Sequence, residues 1–118
     1  MKKVLVIDDN IEILYVVELI LKHNRFIVKT LSEWSAIAKT IEDFAPDIIL
    51  LDIDLNGADG GDICKKLKLS KQAQQIPIIL FSGYKLTEKY VKESLAQGFL
   101  LKPFESSNLV KIISDNLN

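Results

Sequence analysis

Five short apolar runs recur along the chain: Val4–Ile7, Phe26–Val28, Ile48–Leu51, Ile78–Phe81 and Phe99–Leu101. All are too short for helices and four contain β-branched residues, so they predict strands. The first, third and fourth show no polar alternation. Such runs belong to strands covered on both faces, as in a parallel sheet flanked by helices. The gaps carry helical spacing. Ile13, Val17, Ile20 and Leu21 mark a first helix. Trp34, Ile37, Ala38 and Ile41 form a stripe on a second, with Ser32 as its N-cap. Ile63, Cys64 and Leu67 mark a third, Val91 and Leu95 a fourth behind a Thr87 cap, and Leu109, Ile112 and Ile113 a fifth. The predicted order is (βα)5. Right-handed crossovers then give a doubly wound, five-stranded parallel α/β sheet. Pro46, Pro77 and Pro103 sit at strand entrances or exits, where a missing N–H costs little.

Composition narrows the class. With 118 residues, 48% apolar and 26% charged, the chain has the make-up of one globular domain. Fifteen Lys plus Arg against sixteen Asp plus Glu leave a net charge of −1. That balance gives no basic stripe for direct nucleic-acid binding. A single cysteine, Cys64, rules out an intrachain disulfide and fits a reducing compartment. The apolar stretch behind Lys2-Lys3 stops at Asp8, too short for a signal core, and no run reaches the roughly 20 residues of a membrane span. The expectation is a soluble, cytoplasmic, single-domain protein with no membrane insertion.

Open α/β sheets bind ligands beyond the carboxyl ends of their strands. The first run ends in Asp8-Asp9, the third in Asp52 with Asp54 two residues on, the fourth in Ser82-Gly83 and the fifth in Lys102-Pro103. A flavodoxin-like order of 2-1-3-4-5 makes strands one and three neighbours at the switch point. Asp8, Asp9 and Asp52 then share one pocket, flanked by Ser82 and Lys102. Three carboxylates held together need protons or a cation to neutralise them. Oxygen-only ligands select a hard cation, and a few carboxylates with room for water suit Mg²⁺. A metal-bound carboxylate beside a lysine and a hydroxyl is equipped for phosphoryl transfer.

These strand ends, together with Asp52-Ile-Asp-Leu-Asn-Gly-Ala-Asp59-Gly60 and Ala96-Gln-Gly-Phe99-Leu-Leu-Lys102-Pro103, resemble the receiver domain of two-component response regulators. The resemblance covers nearly the whole chain. It implies that Asp52 is the phosphoacceptor, taking phosphoryl from a histidine kinase or histidine phosphotransfer protein. Asp8 and Asp9 are implied Mg²⁺ ligands with Asp52, and the Asp54 backbone carbonyl completes the protein's set. Ser82 and Lys102 contact the phosphoryl group, Ser82 and Phe99 form a switch, and the Lys102–Pro103 bond is cis. The implied output surface is the face of helix four, strand five and helix five. The expected protein is a stand-alone receiver over residues 1–118 with no output domain. It is not an enzyme of the ordinary kind, but it catalyses its own phosphorylation and slow dephosphorylation.

The chain departs from the family pattern at three places. Asn56 replaces a usual proline, which predicts a more mobile loop. Asp54 puts an acid where Met or Asn is common, where it would tighten metal binding or alter attack by water. Leu95 replaces a usual glycine, with packing as its expected consequence. Helix one carries more apolar positions (Ile11, Ile13, Leu14 and Tyr15) than one buried stripe requires. It is either deeply buried or a docking face. Lys85, Lys89 and Lys92 read as a solvated face of helix four, and His23 as a helix-end cation.

Three rival functions compete for the same residues. Asp52-Ile-Asp54 is similar to the acid pair of haloacid-dehalogenase-type phosphatases, but those begin with that strand, whereas Asp8-Asp9 come first here. An FMN-binding flavodoxin needs a Ser/Thr/Gly-rich phosphate loop after strand one, and Asp8-Asp9-Asn10 repels phosphate. A pseudo-receiver used only for interaction is the third reading; all the phosphorylation residues are nevertheless present.

Overall fold

The computed structural model describes residues 1–117. Strands β1 (Lys3–Ile7), β2 (Ile27–Leu31), β3 (Ile48–Asp52), β4 (Ile78–Ser82) and β5 (Gly98–Leu101) alternate with helices α1 (Ile11–His23), α2 (Ile37–Phe44), α3 (Gly60–Leu69), α4 (Glu88–Ser94) and α5 (Ser106–Asp115). All five strands run parallel in the order β2-β1-β3-β4-β5. The doubly wound flavodoxin-like topology is therefore as expected. Every residue of β3 and β4 is buried, whereas the edge strand β2 alternates half-buried and exposed positions. Unbroken apolar runs thus occupy the middle of the sheet and the mixed run its edge.

Alternation along the strands splits the core into two layers. Leu5, Ile7, Ile49, Leu51, Ile78 and Leu80 pack with Ile37, Ile41 and Cys64 of α2 and α3. Val4, Val6, Ile48, Leu50, Ile79 and Phe81 pack on the other face with Val17 and Leu21 of α1 and Leu109 and Ile113 of α5. No described helix is long and apolar enough to cross a membrane.

Local chemistry sets several helix starts. The Asn10 side chain accepts from the N–H groups of Glu12 and Ile13 and opens α1. Asp59 caps α3 through the Asp62 N–H, and Thr87 caps α4 through that of Tyr90. In each case a side-chain oxygen satisfies a donor with no partner inside the helix.

Several sequence expectations change. Trp34 does not lie on α2. It starts a separate 3₁₀ turn, Trp34–Ala36, and is 41% exposed. Its 34/37/38/41 spacing mimicked a core stripe, but only Ile37 and Ile41 of that set are buried. Ser32 is not the α2 cap; α2 begins behind Ala36 with no side-chain cap. Of the two readings of helix α1, deep burial fails, because Ile11, Tyr15, Val16 and Leu19 are all exposed. The loop after Asp52 carries secondary structure that the sequence reading did not expect. Asp54–Leu55 and Ala58–Asp59 form a small antiparallel hairpin, and the Trp34 indole N–H donates to the Asn56 carbonyl at 3.0 Å.

Leu95 acts on the backbone more than on packing. It follows the last turn of α4 with φ 64°, in the left-handed region, and its side chain is 40% exposed. A Cβ in that region costs roughly 1–2 kcal/mol, which glycine avoids. Leu95→Gly is expected to stabilise the protein by about 1 kcal/mol after its larger unfolded-state entropy is counted. Urea unfolding checks this as a higher midpoint at unchanged slope.

Candidate functional site

The carboxyl ends of β1, β3, β4 and β5 converge on one polar pocket. The parallel register sets Ile7 beside Leu51, Asp52 beside Phe81 and Ser82 beside Leu101. Asp8, Asp52, Ser82 and Lys102 therefore leave the apolar sheet at one level. Asp8, Asp9 and Asp52 each offer a carboxylate oxygen within 4.8 Å of the others. Asp8 and Ser82 are fully buried, Asp52 is 3% exposed, and Asp9 opens to solvent.

One cation faces these acids from within the protein. Lys102 Nζ lies 2.8 Å from Asp8 Oδ2 and 3.3 Å from Asp52 Oδ1. The ammonium also stands over the Phe81 ring, 4.8 Å from its centroid. The lysine reaches inward because its backbone N–H donates to the Ser82 carbonyl, 2.6 Å away, and extends the β4–β5 ladder. The Lys102–Pro103 peptide is cis, as the resemblance implied. Asp8 is held from a second side, since its Oδ1 accepts from the Asn10 N–H at 2.9 Å.

A single ammonium does not compensate the group. Burial, then repulsion from Asp8, pushes the Asp52 carboxyl up to about 6. Lys102 and the backbone N–H of Asp54 only partly oppose that rise. Oxygen donors with a surplus of negative charge suit a hard divalent cation, so the donor set fits Mg²⁺. The Asp54 side chain is exposed, and its carboxylate does not join the other three within that distance.

The two switch residues named by the resemblance are Ser82 and Phe99. Ser82 is engaged locally: its hydroxyl donates to the Tyr84 carbonyl, and the Tyr84 N–H donates back to Ser82 Oγ at 3.1 Å. Contact with a phosphoryl group requires that hydroxyl to leave Tyr84. Phe99 is half-buried on β5 and packs against the α2/α3 layer.

Comparison with known proteins decides the family. The model for the response regulator receiver domain matches residues 4–114. The chain belongs to that family. Among curated relatives, the DNA-binding response regulator MtrA of Mycobacterium tuberculosis is 26% identical over 111 residues, which are 92% of this chain and 47% of MtrA. The receiver thus spans about half the length of the curated relatives it matches. Among solved structures, Vibrio cholerae chemotaxis protein CheY4 superposes with a TM-score of 0.91 at 27% identity, covering 99% of each chain. NtrX from Brucella abortus matches 96% of this receiver and 26% of its own chain, with a TM-score of 0.84 at 28% identity.

Two long-range contacts were not legible in the sequence. The Trp34–Asn56 hydrogen bond spans 22 positions, and only the Asn56-Gly57 pair, a hairpin-turn signal, hinted at a structured loop. The Tyr90 hydroxyl donates to Asp59 Oδ1 at 2.8 Å and accepts from the Gly61 N–H at 3.1 Å, joining α4 to the start of α3. Gly61 leaves room for it, since a Cβ there would lie 2.4 Å from the Tyr90 oxygen.

The raised Asp52 value carries a pH signature. A carboxyl whose folded value exceeds the ordinary 3.8 contributes stability that is complete below pH 3.8 and lost as pH rises through about 6. In metal-free buffer, Asp52→Asn is expected to exceed wild type in stability at pH 7.5 by up to about 3 kcal/mol. The gap closes below pH 4. Urea unfolding of both proteins from pH 4 to 8 in EDTA measures it.

Proposed function

We propose that this receiver accepts a phosphoryl group on Asp52 from the phosphohistidine of a histidine kinase or phosphotransfer protein. The observation that carries the reading is the buried Asp52 carboxylate, placed beside Asp8 and Asp9 and within reach of the Lys102 ammonium. Asp8, Asp9 and Asp52 are the side chains that would hold Mg²⁺, and the Asp54 backbone carbonyl would be a further ligand. Bound there, Mg²⁺ supplies positive charge that neutralises phosphoryl oxygens.

The chain's own residues do the rest. An Asp52 oxygen attacks phosphorus, and an O–P bond forms as the donor's P–N bond breaks. Lys102 is held between Asp8 and Asp52, so its charge is pre-placed for a phosphoryl oxygen without reorganisation. Ser82 turns from the Tyr84 carbonyl to donate to the phosphoryl group. Half-buried Phe99 changes rotamer with it and biases a two-state equilibrium. The acyl phosphate is then hydrolysed slowly.

Partner surfaces follow from exposure. Ile11, Tyr15, Val16 and Leu19 line the outside of α1. Next to them a groove of about 440 Å³ runs between Ile13, Val16 and Ile20 on one side and Lys102, Pro103 and Phe104 on the other. An apolar surface that ends at Lys102 suits the protein that delivers phosphoryl to Asp52. The face of α4, β5 and α5 presents the result to a downstream protein, and the setting is cytoplasmic.

Intact mass after incubation with Mg²⁺ and acetyl phosphate tests the reading. One added phosphoryl group is expected on wild type and none on Asp52→Asn. No adduct on wild type, even with rapid quenching, would favour the pseudo-receiver instead.

A further inference from the structure

Trp34 is the only tryptophan of the chain, and the protein does not use it in a core. It sits on the 3₁₀ turn between β2 and α2, with its indole N–H on the Asn56 carbonyl. Asn56 and Gly57 form the tip of the hairpin that follows Asp52. Each strand of that hairpin has only two residues, too few for independent stability. Its returning end is fixed from below. The Gly60 N–H donates to the Ile53 carbonyl at 2.8 Å, and Gly60 lies so close to the Asp52 carbonyl that a Cβ would approach it to 2.1 Å. The tip has one described side-chain tether, the Trp34 indole.

That tether stands beside the open side of the acid pocket. A groove of about 290 Å³ is lined by Asp9, Ile11, Glu33, Trp34 and Asn56, among others. Asp9 is the exposed member of the three clustered carboxylates. Both partners of the indole hydrogen bond therefore line this groove beside Asp9, and Asn56 lies on the segment that also carries Asp54.

From this placement we infer that Trp34 is a positioning residue for the cation and phosphoryl site. Its N–H holds the Asp54–Gly57 segment in place, so that the pocket meets Mg²⁺ preorganised. The inference rests on the receiver reading of the pocket given above. A tether of one hydrogen bond sets the size of the effect, since losing it weakens Mg²⁺ binding by about fivefold. The turn geometry supplies a way to replace the tether. Gly57 has φ 81° and Asn56 is not among the positive-φ residues. A negative φ at 56 followed by a positive φ at 57 is the φ pattern of a type II turn, whose second position favours proline. A proline at 56 stiffens the same tip through the covalent backbone.

The test is isothermal titration of Mg²⁺ into the full chain as wild type, Trp34→Phe, and Trp34→Phe combined with Asn56→Pro. Metal-free thermal unfolding and the lifetime of phosphoryl on Asp52 are measured alongside. Phenylalanine keeps a ring in the groove and removes the donor. The expected result is an Mg²⁺ Kd about fivefold higher in Trp34→Phe, a metal-free Tm close to wild type, a changed phosphoryl lifetime, and recovery of Kd in the double variant. An unchanged Kd in Trp34→Phe overturns the inference and leaves the receiver reading intact, provided wild type takes up phosphoryl. A raised Kd with an equal loss of metal-free stability and no recovery by proline also overturns it, since Trp34 would then act only in folding. If wild type binds no Mg²⁺ and takes no phosphoryl, the receiver reading fails and the inference falls with it.

Discussion

The pocket is organised by one ammonium set against three carboxylates. Lys102 lies between Asp8 and Asp52, and Asp9 completes the acidic group at the solvent edge. One positive charge cannot neutralise three negative ones at this separation, and two of the acids are buried. The imbalance is relieved by a proton on Asp52 or by a cation. Burial, reinforced by the repulsion from Asp8, raises the Asp52 carboxyl, and oxygen donors with surplus negative charge suit a hard cation. The rest of the fold holds these four side chains together.

Burying those charges at a sheet end requires a rigid frame. Parallel strands covered on both faces supply it, because β1, β3 and β4 are locked by two apolar layers and by continuous ladders. Polar residues begin where the strands end, so the transition from Ile7 to Asp8 or Leu51 to Asp52 is also the boundary between core and site. The surrounding loops are held by a few polar contacts: Trp34 with Asn56, Tyr90 with Asp59 and Gly61, and Ser82 with Tyr84.

Much of this was legible in the amino-acid order because it is written in short-range patterns. Unbroken apolar runs announced the central strands, and the polar residue ending each run announced the pocket. Asp8, Asp9, Asp52, Ser82 and Lys102 were all found where strand ends predict. What was not legible depends on distant partners or on dihedral angles. Trp34 shares the spacing of a helix stripe, and only the position of Asn56 in space shows that its N–H is engaged elsewhere. Tyr90 has a hydroxyl partner 31 positions away and needs the missing side chain of Gly61. The substitution at Leu95 was visible, but its consequence lies in a φ of 64° that no hydropathy pattern encodes. Helix α1 showed surplus apolar positions in the sequence, and the structure assigns that surplus to the surface.

The most direct measurement of the charge imbalance is a titration of the Asp52 carboxyl carbon by NMR, with and without Mg²⁺. The account predicts a midpoint near 6 in metal-free protein and a clear fall when Mg²⁺ is present. A metal-free midpoint at the ordinary 3.8, unmoved by Mg²⁺, would contradict it.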